Sequence, residues 1–179
     1  MQEVETKILN VNADQISNVL TQLGAKKLQD TKLIVSWFWP KGSKEGETPW
    51  FLRIRIYTNG ESEVTWKGNS DILGVSRKHK EINFRISNPE EIGDLFLEIG
   101  LEKYAYQEKL RTSWEHQNWR FDLDRYPKMP AYLEIEGKDE EHIQKAIKLL
   151  DLQNHKTSSE GERVLIQTEY GLDWYNMKF

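Results

Sequence analysis

The stretch FLRIRIYTNGESEVTWK, residues 51–67, predicts two β-strands joined by a tight turn. Thr58-Asn59-Gly60 supplies the turn, because Asn-Gly tolerates the positive φ angles that two-residue hairpins require. Successive side chains of a strand point to opposite faces, so Arg53 and Arg55 share one face and the aliphatic residues between them share the other. The stretch therefore predicts an antiparallel sheet with one charged face and one apolar face.

The same alternation recurs in the other segments that we expect to be strands. These segments are the first few residues and residues 32–39, 79–86, 104–114, 119–125 and 131–137. In each strand the polar or charged residues that lie two positions apart form a row on one face. With the second strand of the hairpin included, these charged rows are Glu3, Glu5 and Lys7; Thr65 and Lys67; Glu81 and Arg85; Lys109 and Arg111; Asp122 and Asp124; and Glu134 and Glu136. Each row lies opposite apolar residues, so one face of the whole sheet is expected to be charged.

Three amphipathic helices are predicted from apolar residues that recur every three or four positions. Asn12, Asn88 and Asp139 begin them, and the pattern continues to about residues 24, 100 and 150. A fourth helix with weaker periodicity is expected between residues 158 and 171. Helices that separate groups of hairpin-connected strands are typical of an α+β protein with a predominantly antiparallel sheet.

Length and composition restrict the class of protein. A chain of 179 residues suits one domain, 1–179, in which a core of about residues 1–150 carries the motifs and residues 151–179 pack on it. The absence of cysteine excludes disulfides, thiolate metal sites and cysteine nucleophiles. A net charge of −4 does not favour a nucleic-acid polymer as partner. The polar N-terminus and the lack of a long apolar run favour the cytoplasm over a secreted or membrane location.

The charged face can be explained in two ways. A half-solvated antiparallel sheet is a common arrangement and would leave the charges in water, with Glu3, Glu5 and Lys7 on a solvated edge strand. However, solvated faces usually mix in Ser, Thr and Gln, whereas these rows consist mostly of Arg, Lys, Glu and Asp. If the helices cover the apolar face, the charged face becomes a concave surface or a barrel lumen. Burying charges that are merely paired with one another is costly. A buried charged lumen is therefore explained best if it binds a charged ligand.

Both signs of charge suit a complex of a metal ion with a polyanion. Arg and Lys bind phosphate oxygens, Arg through two parallel hydrogen bonds. Carboxylates do not bind phosphate directly, but they hold Mg²⁺ or Mn²⁺, which prefer oxygen ligands and bridge to phosphates. We therefore expect the partner to be a small molecule that contains a triphosphate, with Mg²⁺ or Mn²⁺ as cofactor, and not a nucleic-acid polymer or a membrane.

Several motifs along the charged rows match one family. Glu3-Val4-Glu5-Thr6-Lys7 has the form ExExK near the N-terminus. It is followed in order by LRIR (52–55), TWKG (65–68), Glu81, KLR (109–111), DRYP (124–127) and YLEIEG (132–137). As a set spanning about residues 1–150, they resemble the CYTH or triphosphate tunnel metalloenzyme superfamily. The resemblance is strongest to its small members, the class IV adenylyl cyclases and the thiamine- and inorganic-triphosphatases.

The resemblance implies a closed or nearly closed eight-stranded antiparallel β-barrel, a tunnel with a charged lumen and helices packed outside. It implies metal binding by Glu3, Glu5, Asp124, Glu134 and Glu136. It implies phosphate binding by Lys7, Arg53, Arg55, Lys67, Lys109 and Arg111, to which we add Arg85, equally well explained as a structural ion-pair partner. The candidate catalytic residues are Lys7, Glu5 and Glu81, with Glu81 binding a second metal or orienting a phosphate-binding residue.

Some positions depart from the family pattern or stay ambiguous. Asn83 stands where many relatives have a second acid after Glu81, and His79 where a basic residue is common. Asp122 shares the face of Asp124, although the family pattern points to Asp124. The four histidines show no ligand spacing, so we interpret them as surface or structural residues.

The activity implied by the resemblance is metal-dependent hydrolysis of a terminal phosphate from tripolyphosphate, a nucleoside triphosphate or thiamine triphosphate. The first alternative is a class IV adenylyl cyclase, which converts ATP to cyclic AMP and pyrophosphate. The second is a polyphosphate- or nucleotide-binding module without catalytic activity. A homodimer stays open, since the sequence has no recognisable interface motif.

Overall fold

The structure, a computed structural model, describes the backbone of residues 2–179 and the side chains of residues 4–179. In this part of the chain the strands are β1 (Gln2–Ile8), β2 (Lys26–Pro40), β3 (Phe51–Tyr57), β4 (Ser62–Leu73), β5 (Ser76–Arg85), β6 (Leu101–His116), β7 (Trp119–Arg125), β8 (Tyr132–Gly137), β9 (Thr157–Ser158) and β10 (Asn176–Met177). The helices are α1 (Ala13–Gln22), α2 (Pro89–Glu98), α3 (Glu140–Leu149) and α4 (Glu162–Tyr170).

Eight of the strands close into an antiparallel barrel. Their order around the barrel is β6-β2-β3-β4-β5-β1-β8-β7, and pairing between β6 and β7 closes the ring. The short strands β9 and β10 add to β1 and β6, and β10 pairs in parallel. The predicted α+β fold with an eight-stranded antiparallel barrel is confirmed. Closure satisfies the backbone hydrogen-bonding groups that an open sheet would leave at its edges.

The first three helices begin where the sequence predicts. The side chains of Asn12, Asn88 and Asp139 each accept a hydrogen bond from the backbone N–H three residues later, which satisfies one of the free donors of a helix start. The fourth helix was expected from about residue 158, and this start is wrong: α4 begins at Glu162, after the short β9. None of the helices in the described residues is long and apolar enough to cross a membrane.

Apolar clusters cover the outer face of the barrel. One forms where α1 and α3 lie over the β1, β7 and β8 side, with Ile16, Leu20 and Ile143 at its centre. A smaller one joins α2 to the β2–β4 region through Phe96. The expected apolar stripe of α2 is only partly buried, because Leu95 remains 50% exposed. The helix therefore contacts the barrel along a narrower line than its periodicity predicts.

The C-terminal segment packs over one end of the barrel. Leu165 and Ile166 of α4 and Trp174 after it are buried in a third cluster. They contact a group that includes Trp37 of β2, whose ring centroid lies 5.1 Å from that of Trp174. This placement puts the N-terminal end of α4 beside the lumen.

Candidate functional site

The charged rows line the inside of the barrel, and most of their side chains are buried. The buried charged residues of the lumen are Glu5, Lys7, Arg53, Arg55, Glu81, Lys109, Arg111, Asp122, Asp124 and Glu134. The strand register places residues of opposite charge next to each other on neighbouring strands: Lys7 lies opposite Glu134, Lys67 opposite Glu81, and Arg111 opposite Asp124. Buried charges on this scale require partners, so the contacts of each group indicate its role.

Three carboxylates from β1 and β8 meet in the lumen. Glu5, Glu134 and Glu136 each offer an oxygen within 4.8 Å of the other two. Lys7 lies beside them, with its Nζ 3.2 Å from Glu5 and 3.1 Å from Glu134. The side chain of Glu3, also expected among the metal ligands, lies outside the described residues.

Arg77 holds Glu5 in place and was missed by the sequence analysis. Its Nε donates to Glu5 Oε1 at 2.7 Å, and Arg77 and Glu5 are paired across β1 and β5. Burial alone would raise the pKa of Glu5, but Arg77, Lys67 and Lys7 hold it well below the usual value. Arg77 was missed because the predicted strand began at residue 79, whereas β5 begins at Ser76. Counting back two residues from His79 would have placed Arg77 on the charged face.

The three carboxylates fit a hard divalent cation. Glu5 Oε2 is buried and has no hydrogen-bond partner among the described residues, and Lys67 Nζ lies 3.5 Å from it. Glu134 and Glu136 add carboxylate oxygens from the next strand. An all-oxygen donor set with an unsatisfied buried oxygen suits Mg²⁺ or Mn²⁺.

Arg111 forms ion pairs with three carboxylates in the lumen. Its guanidinium contacts Asp122, Asp124 and Glu134, with Nε 2.6 Å from Asp124 Oδ1 and Nη2 3.3 Å from Glu134 Oε1. Burial would lower the pKa of Arg111, but Asp122 and Asp124 raise it well above the usual value. Arg111 therefore carries a permanent charge that these carboxylates already offset.

Asp124 was expected on the metal side, and the structure places it among the cations instead. Its Oδ2 accepts from Lys109 Nζ at 2.8 Å and from the Tyr132 hydroxyl at 3.0 Å. Burial alone would raise the pKa of Asp124, but Arg111 and Lys109 lower it by more, so the net shift is downward and the carboxylate is ionised. Asp124 is not part of the group formed by Glu5 and its two neighbours within the described residues. Each of its two oxygens accepts a hydrogen bond from at least one of these donors, Oδ1 from Arg111 and Oδ2 from Lys109, Arg111 and Tyr132.

Arg53 and Arg55 of β3 are less completely paired. The Arg53 guanidinium lies over the Trp37 ring, 5.2 Å from its centroid, and its Nε is buried without a hydrogen-bond partner among the described residues. Arg55 Nη2 lies 2.5 Å from Glu63 and 3.0 Å from Thr65, yet its Nε also has no hydrogen-bond partner within the described chain. These are buried donors that face into the lumen with capacity left for a ligand.

The neighbouring strands add one further ion pair and a residue at the rim. Lys67 Nζ lies 2.6 Å from Glu81, and His79 Nε2 lies 3.6 Å from the same carboxylate. His79 is buried and lines the cavity under α4, so the expected surface position is wrong for this histidine. Arg85 has a side chain 83% exposed and pairs with Glu61 at 3.4 Å. The structure thus places Arg85 at the edge of the lumen rather than among the buried cations.

Glu162 enters the lumen from α4 and was also missed. Its Oε1 accepts from Lys109 Nζ at 2.6 Å and from the Tyr132 hydroxyl at 2.9 Å, and its Oε2 accepts from the Tyr126 hydroxyl at 2.9 Å. Burial would raise its pKa, but Lys109 and Arg53 hold it well below the usual value. No strand alternation covers this residue, and the weak periodicity of α4 gave no sign of which side faces the barrel.

Two cavities meet in the lumen and share Arg53, Lys67, Arg111 and Glu134. The larger, of about 430 Å³, is lined mostly by polar groups, including Arg55, Glu81, Asp122 and Glu136. The smaller, of about 200 Å³, lies under α4 and combines Arg77, His79 and Glu162 with the aromatic residues Trp37, Phe51 and Trp174. The larger cavity, with Glu134 and Glu136 on one side and the partly paired arginines on the other, is large enough for a small polyanion.

Comparison with known proteins gives one family and a consistent set of similar folds. The model of the CYTH domain family matches residues 1–164. No curated protein matches the chain significantly.

Three solved structures illustrate the likeness. The PH1012 protein of Pyrococcus horikoshii OT3 is 25% identical, with a TM-score of 0.71, covering 86% of this chain and 94% of that one. A Vibrio parahaemolyticus protein, described as a candidate adenylate cyclase, is 13% identical with a TM-score of 0.77, covering 93% and 98%. The HpAC1 protein of Hippeastrum, described as a candidate adenylyl cyclase with a dominant triphosphatase activity, is 13% identical with a TM-score of 0.70, covering 93% and 96%.

Proposed function

The chain belongs to the CYTH domain family, and from this membership and its site we propose that it is a divalent-metal-dependent triphosphatase. The substrate would be tripolyphosphate, a nucleoside triphosphate or thiamine triphosphate, and the product the corresponding diphosphate and inorganic phosphate. Proteins of this family act on triphosphates. The description of the Hippeastrum protein as predominantly a triphosphatase agrees with hydrolysis, although at 13% identity the likeness itself concerns the fold.

One observation carries the proposal. Buried Arg53 and Arg55 keep unpartnered Nε donors on one side of a cavity, and Glu134 and Glu136 line another side, each with an oxygen within 4.8 Å of buried Glu5. Unpartnered buried donors are costly unless a ligand satisfies them. A phosphate chain would satisfy them, because its oxygens accept from guanidinium groups in a fixed geometry.

The basic residues would bind the phosphate groups, and the acidic residues would bind the metal ion. Arg53, Arg55 and Lys67 would bind the phosphate oxygens and hold the phosphate chain in line. Arg111, whose charge three carboxylates already offset, would hold the adjoining wall of the lumen in place. Glu5, Glu134 and Glu136 would hold Mg²⁺ or Mn²⁺, which when bound offsets phosphate charge and lowers the pKa of bound water.

Lys7 and Glu81 would act through neighbouring groups. Lys7 is fully buried between Glu5 and Glu134, so it offsets the repulsion between their carboxylates. Glu81 contacts Lys67 at 2.6 Å and would orient this ammonium toward the substrate. Most of the expected rate enhancement would then come from positioning and charge stabilisation, as in other phosphoryl transfers.

The test is a turnover assay of the full chain with tripolyphosphate, ATP and thiamine triphosphate, in Mg²⁺ and then in Mn²⁺. Phosphate, pyrophosphate and cyclic AMP are all quantified. Glu136→Gln removes one charge from the acidic cluster at a half-buried position, and we expect a loss of about 100-fold in kcat/KM. Glu61→Gln is the matched control, since Glu61 lines the same cavity outside the acidic cluster, and we expect nearly unchanged activity.

Each outcome decides between activities. Phosphate release that requires metal and falls in Glu136→Gln supports the triphosphatase. Equal amounts of pyrophosphate and cyclic AMP would replace it with a cyclase. Tight binding of tripolyphosphate without any product would leave a binding module and overturn the proposal.

A further inference from the structure

Lys109 is shared between two carboxylates. Its Nζ lies 2.8 Å from Asp124 and 2.6 Å from Glu162, and its side chain is only 1% exposed. Two negative charges thus face one positive charge, and the neighbouring ring of Tyr126 covers the ammonium at 5.4 Å. Lys109 has little charge left over for a phosphate group.

The carboxylate of Glu162 is held on both of its oxygens. The Tyr132 and Tyr126 hydroxyls donate to Oε1 and Oε2, respectively, each at 2.9 Å. These phenols are themselves buried, so the carboxylate has a defined position rather than several solvated ones. An ionised carboxylate fixed there repels a second anion, because buried charges are poorly screened.

The position of Glu162 marks one end of the ligand volume. Arg111 lines both cavities, whereas Lys109, two residues earlier on β6, lines neither. Glu162 itself lines the cavity under α4 and acts on Arg53 through its charge. The other cations that line the cavity under α4 are already paired with carboxylates: Lys67 with Glu81, Arg77 with Glu5, Arg163 with Glu45, and Arg111 with three acids. Seen from the larger cavity, the cations without such a partner therefore stop at Arg53, and the carboxylate of Glu162 lies beyond it.

We propose that Glu162 is a specificity-determining residue that limits the length of the bound phosphate chain, by occupying the place where a further phosphate would meet Lys109. The inference rests on the proposed function, because it concerns the same cations. It assigns to the N-terminal residue of α4 a part in choosing three phosphates over four. Such a selection works by repulsion, which is how many sites reject a near-identical ligand.

Binding of linear inorganic phosphates to the full chain tests this selection. Pyrophosphate, tripolyphosphate and tetrapolyphosphate are titrated by calorimetry in buffer without divalent metal, so that hydrolysis does not contribute. For the unmodified chain we expect affinity to rise from two to three phosphates and to fall at four. Glu162→Gln keeps the size of the side chain and removes its charge, and it should raise the affinity for tetrapolyphosphate relative to tripolyphosphate by about tenfold.

Two variants serve as controls. Glu160→Gln removes an exposed carboxylate that lines the same cavity and should keep the order of the unmodified chain. Glu162→Asp keeps the charge and should keep that order too. Thermal unfolding of each variant shows whether the protein is folded, and the measurements on the unmodified chain do not depend on any variant.

The results separate this inference from the proposed function. An affinity that keeps rising from three to four phosphates in the unmodified chain overturns the inference, as does an unchanged order in folded Glu162→Gln. If metal-dependent turnover is intact in either case, the proposed function stands. If tripolyphosphate binds with the predicted length preference but is not hydrolysed, the function fails and the length selection stands.

Discussion

The arginine pair of β3 and the Lys–Arg pair of β6 have the same charge and spacing but different surroundings. On β6, Lys109 contacts two carboxylates and Arg111 contacts three. On β3, Arg55 contacts one carboxylate, and Arg53 forms no ion pair with any described residue. Both pairs lie on walls of one lumen, so burial alone does not explain the difference. Charges already offset by the protein support the fold, and charges left over are available to a ligand.

Replacing Arg111 should have the largest effect on stability. Arg111→Met removes the cation between Asp122, Asp124 and Glu134, and it leaves buried carboxylates that repel one another. We expect a loss of about 3–5 kcal/mol in the free energy of unfolding, as for other broken buried pairs. Denaturant titration measures it, and a loss below about 1 kcal/mol would contradict the structural role that the comparison assigns to β6.

Replacing Arg53 should affect ligand binding more than stability. Arg53→Met keeps an unbranched side chain over Trp37 and removes a buried donor that has no hydrogen-bond partner among the described residues. We expect the affinity for tripolyphosphate to fall about 10- to 100-fold, the usual range for one charge-assisted contact, and the free energy of unfolding to change by less than about 1 kcal/mol.

Arg85→Ala is the matched control for Arg53, since Arg85 carries the same charge at the exposed rim of the larger cavity. Its loss should change the tripolyphosphate affinity less than about threefold, because exposed charges are screened by water and salt. Similar effects in the two variants would mean that partner count does not distinguish ligand-binding cations from the rest.

Low pH should weaken the ion pairs that Lys109 of β6 forms with Asp124 and Glu162, and with them the stability of the fold. The pKa values of Asp124 and Glu162 are lowered on folding, so their ion pairs stabilise the protein fully above the unfolded values of about 3.9 and 4.3, and lose that contribution as the pH falls below them. We expect a melting temperature that is nearly constant from about pH 7 to 5.5 and falls below about pH 4. Glu162→Gln should flatten the fall, because one of the titrating groups is gone. An equally steep fall in this variant would show that folding does not lower the pKa of Glu162.

The sequence predicted the barrel and its charged lumen because strand alternation is a local property. Once β3 is placed, the face of Arg53 and Arg55 follows from the period of two. Arg77 was missed only because the predicted strand began two residues after it, and strand boundaries are the least certain part of such a prediction. The contacts of Asp124 could not be predicted for a different reason: alternation gives the face of a residue but not which neighbours across the barrel reach it.

Glu162 could not be predicted from the sequence. It lies in a helix with weak periodicity, and its contacts depend on how the C-terminal segment folds back over the barrel. A glutamate at the first turn of a helix is also common for another reason, since it interacts favourably with the helix dipole. Only its distances to Lys109, Tyr126 and Tyr132 distinguish it from an ordinary first-turn acid.

Closure of the barrel also has a consequence for the order in which the chain acquires its structure. β1 is synthesised first, but its barrel partners are β5 and β8, which begin at Ser76 and Tyr132. The hairpins from β2 to β5 can assemble from contacts that are close in sequence, whereas β1 joins β5 only across this whole stretch of chain and joins β8 only after β8 has left the ribosome. Pairings between distant segments are slow to form because the intervening chain has to be ordered first. The acidic cluster, which needs both β1 and β8, is thus among the last parts of the molecule to exist.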